Sequence, residues 1–304
     1  MIRKWFDKKV LILGLSKSGM AAAKYLNSKG ADCYITEQKP LKQEDFKTVK
    51  ELNELGIKTE FEHHSDEFMQ DVYLAVTSPG IPPQSELMLK LKEKNIDVIS
   101  EVELAYLETQ VPFVAITGTN GKTTTTELTN FILNKEFKAQ KCGNIGIPPC
   151  SLLDDGKKTD FYVCEVSSFQ LHYSRSFRPQ IAVWMNFTPD HIDWHGGLEN
   201  YFKDKASLFS PSKRPGFAVF NAQDERLLAF GKEYAGEKFF FGAEFETNCS
   251  YIKDGAIFYK RAKGSEEKII DLKDIPLVGN HNYQNVMASV ICAKICLLYT
   301  SDAA

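Results

Sequence analysis

Nothing in the 304 residues pairs cysteines as Cys-x-x-Cys; the seven present, at 33, 142, 150, 164, 249, 292 and 296, sit mostly in apolar runs. That spacing predicts reduced, buried thiols that pack as small hydrophobes. Cys292 and Cys296 share a helix face, yet no histidine neighbours them in sequence to suggest a metal site. An uninterrupted apolar run of about 18 residues is also missing, so no segment reads as a membrane-spanning helix. Neither sign of charge dominates: 37 Lys and Arg face 40 Asp and Glu, a net charge of −3. Such a balance provides no electrostatic pull toward nucleic acid or an anionic membrane. The opening residues lack the basic, apolar and small-residue succession of a leader. The expectation is a cytoplasmic monomer without internal repeats or low-complexity segments. At 304 residues it exceeds the usual size of one domain, so two are expected.

Against these absences stands one dense signal, Ala115-Ile-Thr-Gly-Thr-Asn-Gly-Lys-Thr-Thr124. An apolar strand over 111–116 runs into a turn over 118–121 and then a helix over 123–134, whose free N-terminal amides would face an anion. Gly118, Thr119, Asn120 and Gly121 form the cradle, Lys122 reaches the outer phosphates, and Thr123 or Thr124 offers an oxygen to Mg²⁺. The strict phosphate-loop pattern places a glycine where Ile116 stands, so this loop is a shorter variant. ATP is the expected ligand, and a plain strand-turn-helix with a solvated lysine is the alternative.

Upstream, residues 10–14 read as a buried strand, 15–19 as a turn, and an Ala-rich helix runs to Lys29. Gly30 closes that helix, and a strand over 31–36 ends at Glu37. This is one mononucleotide-binding unit. Ser16 replaces the second glycine of G-x-G-x-x-G, so Gly14 and Gly19 serve either a nucleotide or close helix packing. An NAD-linked enzyme would need a second dinucleotide half and a hydride-transfer site, and neither is legible. A helix over 42–55 and a strand over 72–77 follow, ending in the rigid turn Ser78-Pro-Gly-Ile-Pro-Pro83. Ligands of open α/β sheets bind at such strand ends. Another helix over 84–94, a short strand over 98–100 and a helix over 101–108 lead to a domain boundary near residue 110.

Beyond the phosphate loop, the strand 161–165 ends in Glu165, a carboxylate well placed to bind Mg²⁺ directly or through water; capping a helix or pairing with a lysine is the alternative. A strand over 181–187 delivers Thr188-Pro-Asp-His191-Ile-Asp193-Trp-His195, dense enough in acids and histidines to suggest a second cation. His191 is the first choice as ligand and Asp190 a water-mediated partner, while His195 is either a ligand or an ordinary loop residue. A helix over 201–209 carries Lys203 and Lys205. Strand, helix and strand are expected over 217–221, 224–233 and 238–241. A hairpin over 250–259 turns at Asp254-Gly255. Asn282 and Asn285 lie three apart at the start of the last helix, where their amides either meet a base or ribose or cap the helix.

Together these pieces resemble the Mur ligase family. The matching segments are Gly118-Thr-Asn-Gly-Lys-Thr-Thr124, Gly143-Asn-Ile-Gly146, Glu165-Val-Ser-Ser-Phe-Gln-Leu171, Asn186 to Asp193, Lys205, and Gly279-Asn-His-Asn-Tyr-Gln-Asn285. The resemblance implies an α/β protein with a Rossmann-like UDP-substrate domain over 1–110 and a central P-loop ATP-binding domain over 111–298. An anomalous tail over 299–304 would follow, with the family's third, C-terminal Rossmann-like domain missing. It further implies that Lys122 and Thr123 hold ATP phosphates, that Thr123, Glu165, His191 and Lys205 bind Mg²⁺, and that Lys205 is carbamylated. Lys122, Lys205 and His191 would be catalytic, and Asn144 would touch the muramoyl substrate. Leu15, Ser16, Glu37, Gln38, Lys39, Ser78 and Gly80 would bind the uridine nucleotide. The Rossmann-like first domain favours D-glutamate addition to UDP-N-acetylmuramoyl-L-alanine over the other Mur-type ligations. Folylpolyglutamate synthases share the loop but lack a leading UDP domain. An inactive nucleotide-binding fragment is the remaining alternative.

Overall fold

The computed structural model describes residues 4–246, 248–261 and 266–301. Two sheets organise it. The first comprises β1 (Lys9–Leu13), β2 (Asp32–Glu37), β3 (Lys58–Phe61), β4 (Leu74–Thr77) and β5 (Val98–Ser100). They are all parallel, in the order β3-β2-β1-β4-β5. Its central strands are apolar on both faces because helices cover both, as parallel sheets require. Those helices are α1 (Lys17–Ser28), α2 (Phe46–Glu54), α3 (Asp66–Met69), α4 (Glu86–Glu93) and α5 (Glu101–Leu107). Ser16 caps α1 by accepting the Gly19 N–H. A Cβ on Gly19 would stand 2.4 Å from the Gly14 carbonyl, so this glycine permits the close strand-to-helix approach.

The second sheet contains β6 (Phe113–Thr117), β7 (Ala139–Gly143), β8 (Phe161–Glu165), β9 (Ile181–Trp184), β10 (Phe217–Asn221), β11 (Lys238–Phe241), β12 (Cys249–Lys253), β13 (Ala256–Lys260) and β14 (Glu267–Asp271). Its order is β14-β13-β12-β11-β10-β9-β6-β8-β7, parallel from β7 through β12 and antiparallel over the last two pairings. The helices are α6 (Lys122–Leu133), α7 (Ser168–His172), α8 (Ile192–His195), α9 (Leu198–Ala206), α10 (Glu225–Glu233) and α11 (Asn280–Ser301). On one face α11 packs along α6, with Met287, Ile291 and Ile295 buried; on the other, Trp184, Phe209 and Phe220 form an aromatic core.

The expected division near residue 110 falls between α5 and β6. A polar seam crosses it. Glu103 accepts the N–H groups of Ser176 and Phe177 at 2.6 and 2.8 Å, Ser100 and Ser174 share a 2.8 Å hydroxyl contact, and Glu101 accepts the Cys150 N–H at 2.6 Å.

Several expected bounds shift. The strand expected over 181–187 stops at Trp184, and residues 185–187 turn toward the phosphate loop. The helix expected over 201–209 instead spans Leu198–Ala206 and tightens into a 3₁₀ turn over Ser207–Phe209. Strands β3, β7 and β14 had no expectation, since Lys-Thr-Glu-Phe, Ala-Gln-Lys-Cys-Gly and Glu-Lys-Ile-Ile-Asp carry too few consecutive apolar residues. All seven cysteines are buried and free. Of the tail, α11 continues through Ser301 and residues 302–304 lie outside the described part. Among the described residues no helix is long and apolar enough to cross a membrane.

Candidate active site

The turn after β6 is shaped by its neighbours. Gly121 adopts φ +80 at the N-cap of α6, and a Cβ there would meet Asn285 Oδ1 at 2.6 Å, so only glycine fits. Asn186, just past β9, accepts the N–H groups of Thr119 and Asn120 at 3.0 and 2.8 Å and donates to the Asn120 carbonyl at 3.0 Å. Lys122 folds back over the loop, its Nζ donating to the carbonyls of Gly118 and Thr119 at 3.0 and 2.8 Å. Burial pulls its amine below the ordinary lysine range, opposed by Glu165 and Asp190.

Register carries the next groups to the same edge. Ile116 pairs with Glu165 and Gly143 also pairs with Glu165, so the ends of β6, β7 and β8 lie side by side. Glu165 is 1% exposed; its Oε2 accepts Thr123 Oγ1 at 2.8 Å and its Oε1 accepts Asn144 Nδ2 at 3.2 Å. Lys205, on α9, is 2% exposed and donates to the Gly118 carbonyl at 2.9 Å. Two lysine amines therefore share one carbonyl oxygen. Burial, and next the neighbouring Lys122 ammonium, pull Lys205 down from 10.5 to about 7. It is far from a solvated lysine.

His191 is half exposed, held at φ +50 with its N–H on Asp190 Oδ1 at 2.9 Å and its ring 4.9 Å from that of Phe169. A left-handed non-glycine residue is costly and persists where surroundings impose it. His195, by contrast, is fully enclosed and bonded to Asp204, so the two histidines of this loop do not form a shared ligand pair. Among the described residues no group of three His, Cys, Asp or Glu could hold a metal ion. The donor set nevertheless suits a hard cation: a threonine hydroxyl and a carboxylate oxygen already 2.8 Å apart, beside an amine that burial pulls down to about 7.

A second concavity lies on the first sheet, between the carboxyl ends of β1 and β4 where the strand order reverses. Its volume is about 540 Å³. Such switch points are where open α/β sheets bind ligands. Leu15, Ser16, Glu37, Gln38, Lys39, Ser78 and Gly80 all line it. Glu37 braces the rim by accepting the N–H groups of Leu15 and Lys39, both at 2.9 Å. Thr36, His64, Ser85 and Glu86 also line it and were missed in sequence. His64 arrives from the turn after the unanticipated β3, and its Nδ1 lies 2.6 Å from Thr36 Oγ1.

The structure thus gathers Gly118 to Thr123, Asn144, Glu165 and Lys205 around one sheet edge, with the Asp190 carboxylate near enough to act on the Lys122 and Lys205 amines. Asn285 is buried beneath that edge, where Oδ1 accepts Thr125 Oγ1 at 3.2 Å and Nδ2 reaches Asn282 Oδ1 at 3.3 Å. Its amide ties α11 to α6. Thr124 is the third residue of α6, half-buried. Asn186 had no assigned role in sequence, although it opens one of the matching segments.

The family description "Mur ligase middle domain" matches residues 116–293, the segment that builds this edge. The chain belongs to the Mur ligase family. "Mur ligase MurD-like, N-terminal domain" matches residues 8–100, the segment of the first sheet. This Mur ligase chain is 38% identical over 292 residues to the UDP-N-acetylmuramoylalanine--D-glutamate ligase of Geobacillus sp. (strain WCH70), covering 95% of the chain and 63% of that protein. It is 37% identical to the enzyme of the same name from Bacillus cereus (strain G9842), covering 100% of the chain and 66% of that protein. The chain therefore spans somewhat under two thirds of the length of these curated relatives. In fold it is similar to the UDP-N-acetylmuramate:L-alanyl-gamma-D-glutamyl-meso-diaminopimelate ligase from Neisseria meningitides, with TM-score 0.62 and 19% identity over 95% of this chain and 93% of that one. The UDP-N-acetylmuramate-alanine ligase from Thermotoga maritima gives TM-score 0.53 and 20% identity over 97% of this chain and 65% of that one.

Proposed function

We propose that the chain carries the UDP-substrate and ATP sites of a cytoplasmic ligase that adds D-glutamate to UDP-N-acetylmuramoyl-L-alanine in peptidoglycan precursor synthesis. Residues 1–110 hold the nucleotide-sugar and 111–298 hold ATP. The observation that carries this reading is the pairing of the switch-point cavity on a MurD-like first sheet with a phosphate loop flanked by Glu165 and Lys205.

The substrate carboxylate attacks the γ-phosphorus of ATP, ADP leaves, and the amine of D-glutamate displaces phosphate from the resulting acyl phosphate with loss of a proton. The first step brings one anion onto another. The loop amides and Lys122, released from its own carbonyls, hold the polyphosphate and offset charge at phosphorus. Magnesium, held by Thr123, Glu165 and His191, would supply further charge neutralisation there. The uncharged form of the Lys205 amine adds to CO₂ through Nζ, loses a proton and becomes a carbamate, which puts an anionic oxygen ligand where the buried amine stood. Asn144, already braced on Glu165, is placed to meet the muramoyl end of the substrate.

The test is Lys122→Ala. ADP release and acyl-phosphate trapping with UDP-N-acetylmuramoyl-L-alanine and ATP are expected to vanish, while calorimetric binding of the UDP-substrate stays intact. Undiminished ADP release in the variant would refute the role of Lys122, and failure of the wild-type chain to bind the UDP-substrate would refute the assignment of the cavity.

A further inference from the structure

Behind the cleft, Ser168, His195 and Asp204 converge with His172. Asp204 Oδ2 accepts His195 Nδ1 at 2.6 Å and its Oδ1 accepts His172 Nδ1 at 2.9 Å, while Ser168 Oγ lies 3.0 Å from His195 Nε2. An ionised carboxylate has no proton to give, so His195 carries a hydrogen on Nδ1, while its Nε2 shares a hydrogen bond with the Ser168 hydroxyl. The order of groups is that of a hydrolase relay. Ser168 is only 2% exposed and its hydroxyl is engaged by His195, so no substrate reaches it. The arrangement is a strut.

Each end of that strut belongs to a segment bearing a cleft residue. His195 closes α8, directly after the Asp190–His191 turn; Asp204 immediately precedes Lys205 on α9; Ser168 opens α7, three residues beyond Glu165. Phe169 fills the space between, stacked on His195 at 5.5 Å and 11° and lying against His191 and Trp194 at 4.9 and 4.6 Å. One enclosed imidazole thus joins the three segments that carry His191, Lys205 and Glu165.

We propose that His195, fixed by Asp204 and Ser168, is a positioning residue that holds the 190–195 loop in register with the helix of Lys205 and the segment after Glu165. The inference rests on the ligase reading only for what the positioned groups act upon.

The experiment has two arms on the 304-residue chain. Nitrogen NMR of the wild type should show His195 protonated at Nδ1. In His195→Phe, which keeps a ring but loses both hydrogen bonds, amide exchange over residues 189–197 should quicken about tenfold or more. ADP affinity without Mg²⁺ should stay within about twofold, while the gain in affinity on adding Mg²⁺ falls about fivefold or more. His195→Asn, whose amide nitrogen occupies the place of Nδ1, should recover much of the protection, and Ser168→Ala should reproduce part of the loss even if the phenylalanine variant does not fold. Absence of a hydrogen on His195 Nδ1, unchanged exchange in both Ser168→Ala and His195→Phe, or an equal loss of Mg²⁺-free affinity would overturn the inference. If ADP binds neither wild type nor variant, the ligase reading fails, while tautomer and exchange still decide the role of His195.

Discussion

Lys205→Met keeps an unbranched side chain, one atom shorter, and removes its charge, and the effect on stability depends on pH in a way the burial of this lysine dictates. In the folded chain the amine is pulled from 10.5 to about 7, chiefly by burial and next by Lys122. The unfolded chain holds its proton up to about 10.5, so between the two values the unfolded state binds a proton that the folded state lacks. Stability of the wild type therefore rises with pH across that window, and below pH 7 the full cost of burying an ammonium is present. At about 1.4 kcal/mol per pH unit the whole window corresponds to the order of 5 kcal/mol, and the interval from pH 7 to 9 to roughly 2–3 kcal/mol. Methionine has no such dependence, and its lost hydrogen bond to Gly118 is an opposing term of about 1 kcal/mol at all pH values. Urea unfolding in CO₂-free buffer should show the variant's stability relative to wild type falling by roughly 2–3 kcal/mol from pH 7 to pH 9. Parallel profiles would refute a largely uncharged Lys205. Adding labelled bicarbonate near pH 8 should then stabilise the wild type alone and give a carbon resonance of a carbamate that the variant lacks.

Glu101→Gln tests the seam. Burial raises the Glu101 carboxyl from 4.5 to about 7, partly opposed by the Cys150 N–H, and its Oε2 has no partner. The folded state here keeps a proton that the unfolded chain has lost, so wild-type stability falls as pH rises from 4.5 to 7. The glutamine variant should gain up to about 3 kcal/mol on wild type between pH 4 and pH 8, measured by denaturant titration; a pH-independent difference would contradict it. Asn186→Ala removes the acceptor for two loop amides at roughly 1 kcal/mol each, and should raise the ADP dissociation constant about tenfold or more by calorimetry. An unchanged affinity would mean that the loop holds its shape unaided.

The parts legible in sequence are those whose physics is local. Glycine at a left-handed turn between an apolar strand and a helix marks the phosphate loop within ten residues, and the apolar strand ending in Glu165 places that carboxylate at the sheet's edge without reference to anything distant. Lys205 lay on a helix indistinguishable from a solvated one, and only the family resemblance raised it, because its burial comes from Gly118 far away in the chain. Asn186 was invisible as a clamp for the same reason: its partners are 67 and 66 residues upstream. His195 stood between ligand and loop residue, and the aspartate that decides the matter sits on the next helix with no spacing rule to link them. Polar, short β3 concealed both its own pairing and the entry of His64 into the cavity.

The seam made by α5 sets a length. Because Glu101 and Glu103 fasten the first sheet to backbone groups of the second, the cavity at the ends of β1 and β4 stands at a set interval from the phosphate loop. On the proposed reading, a ligand held there by its uridine end would be gauged at the other. One whose reacting carboxylate fell short of the loop would gain the affinity of the first sheet and none of the chemistry of the second, so discrimination by span would need no side chain that reads the middle of the molecule.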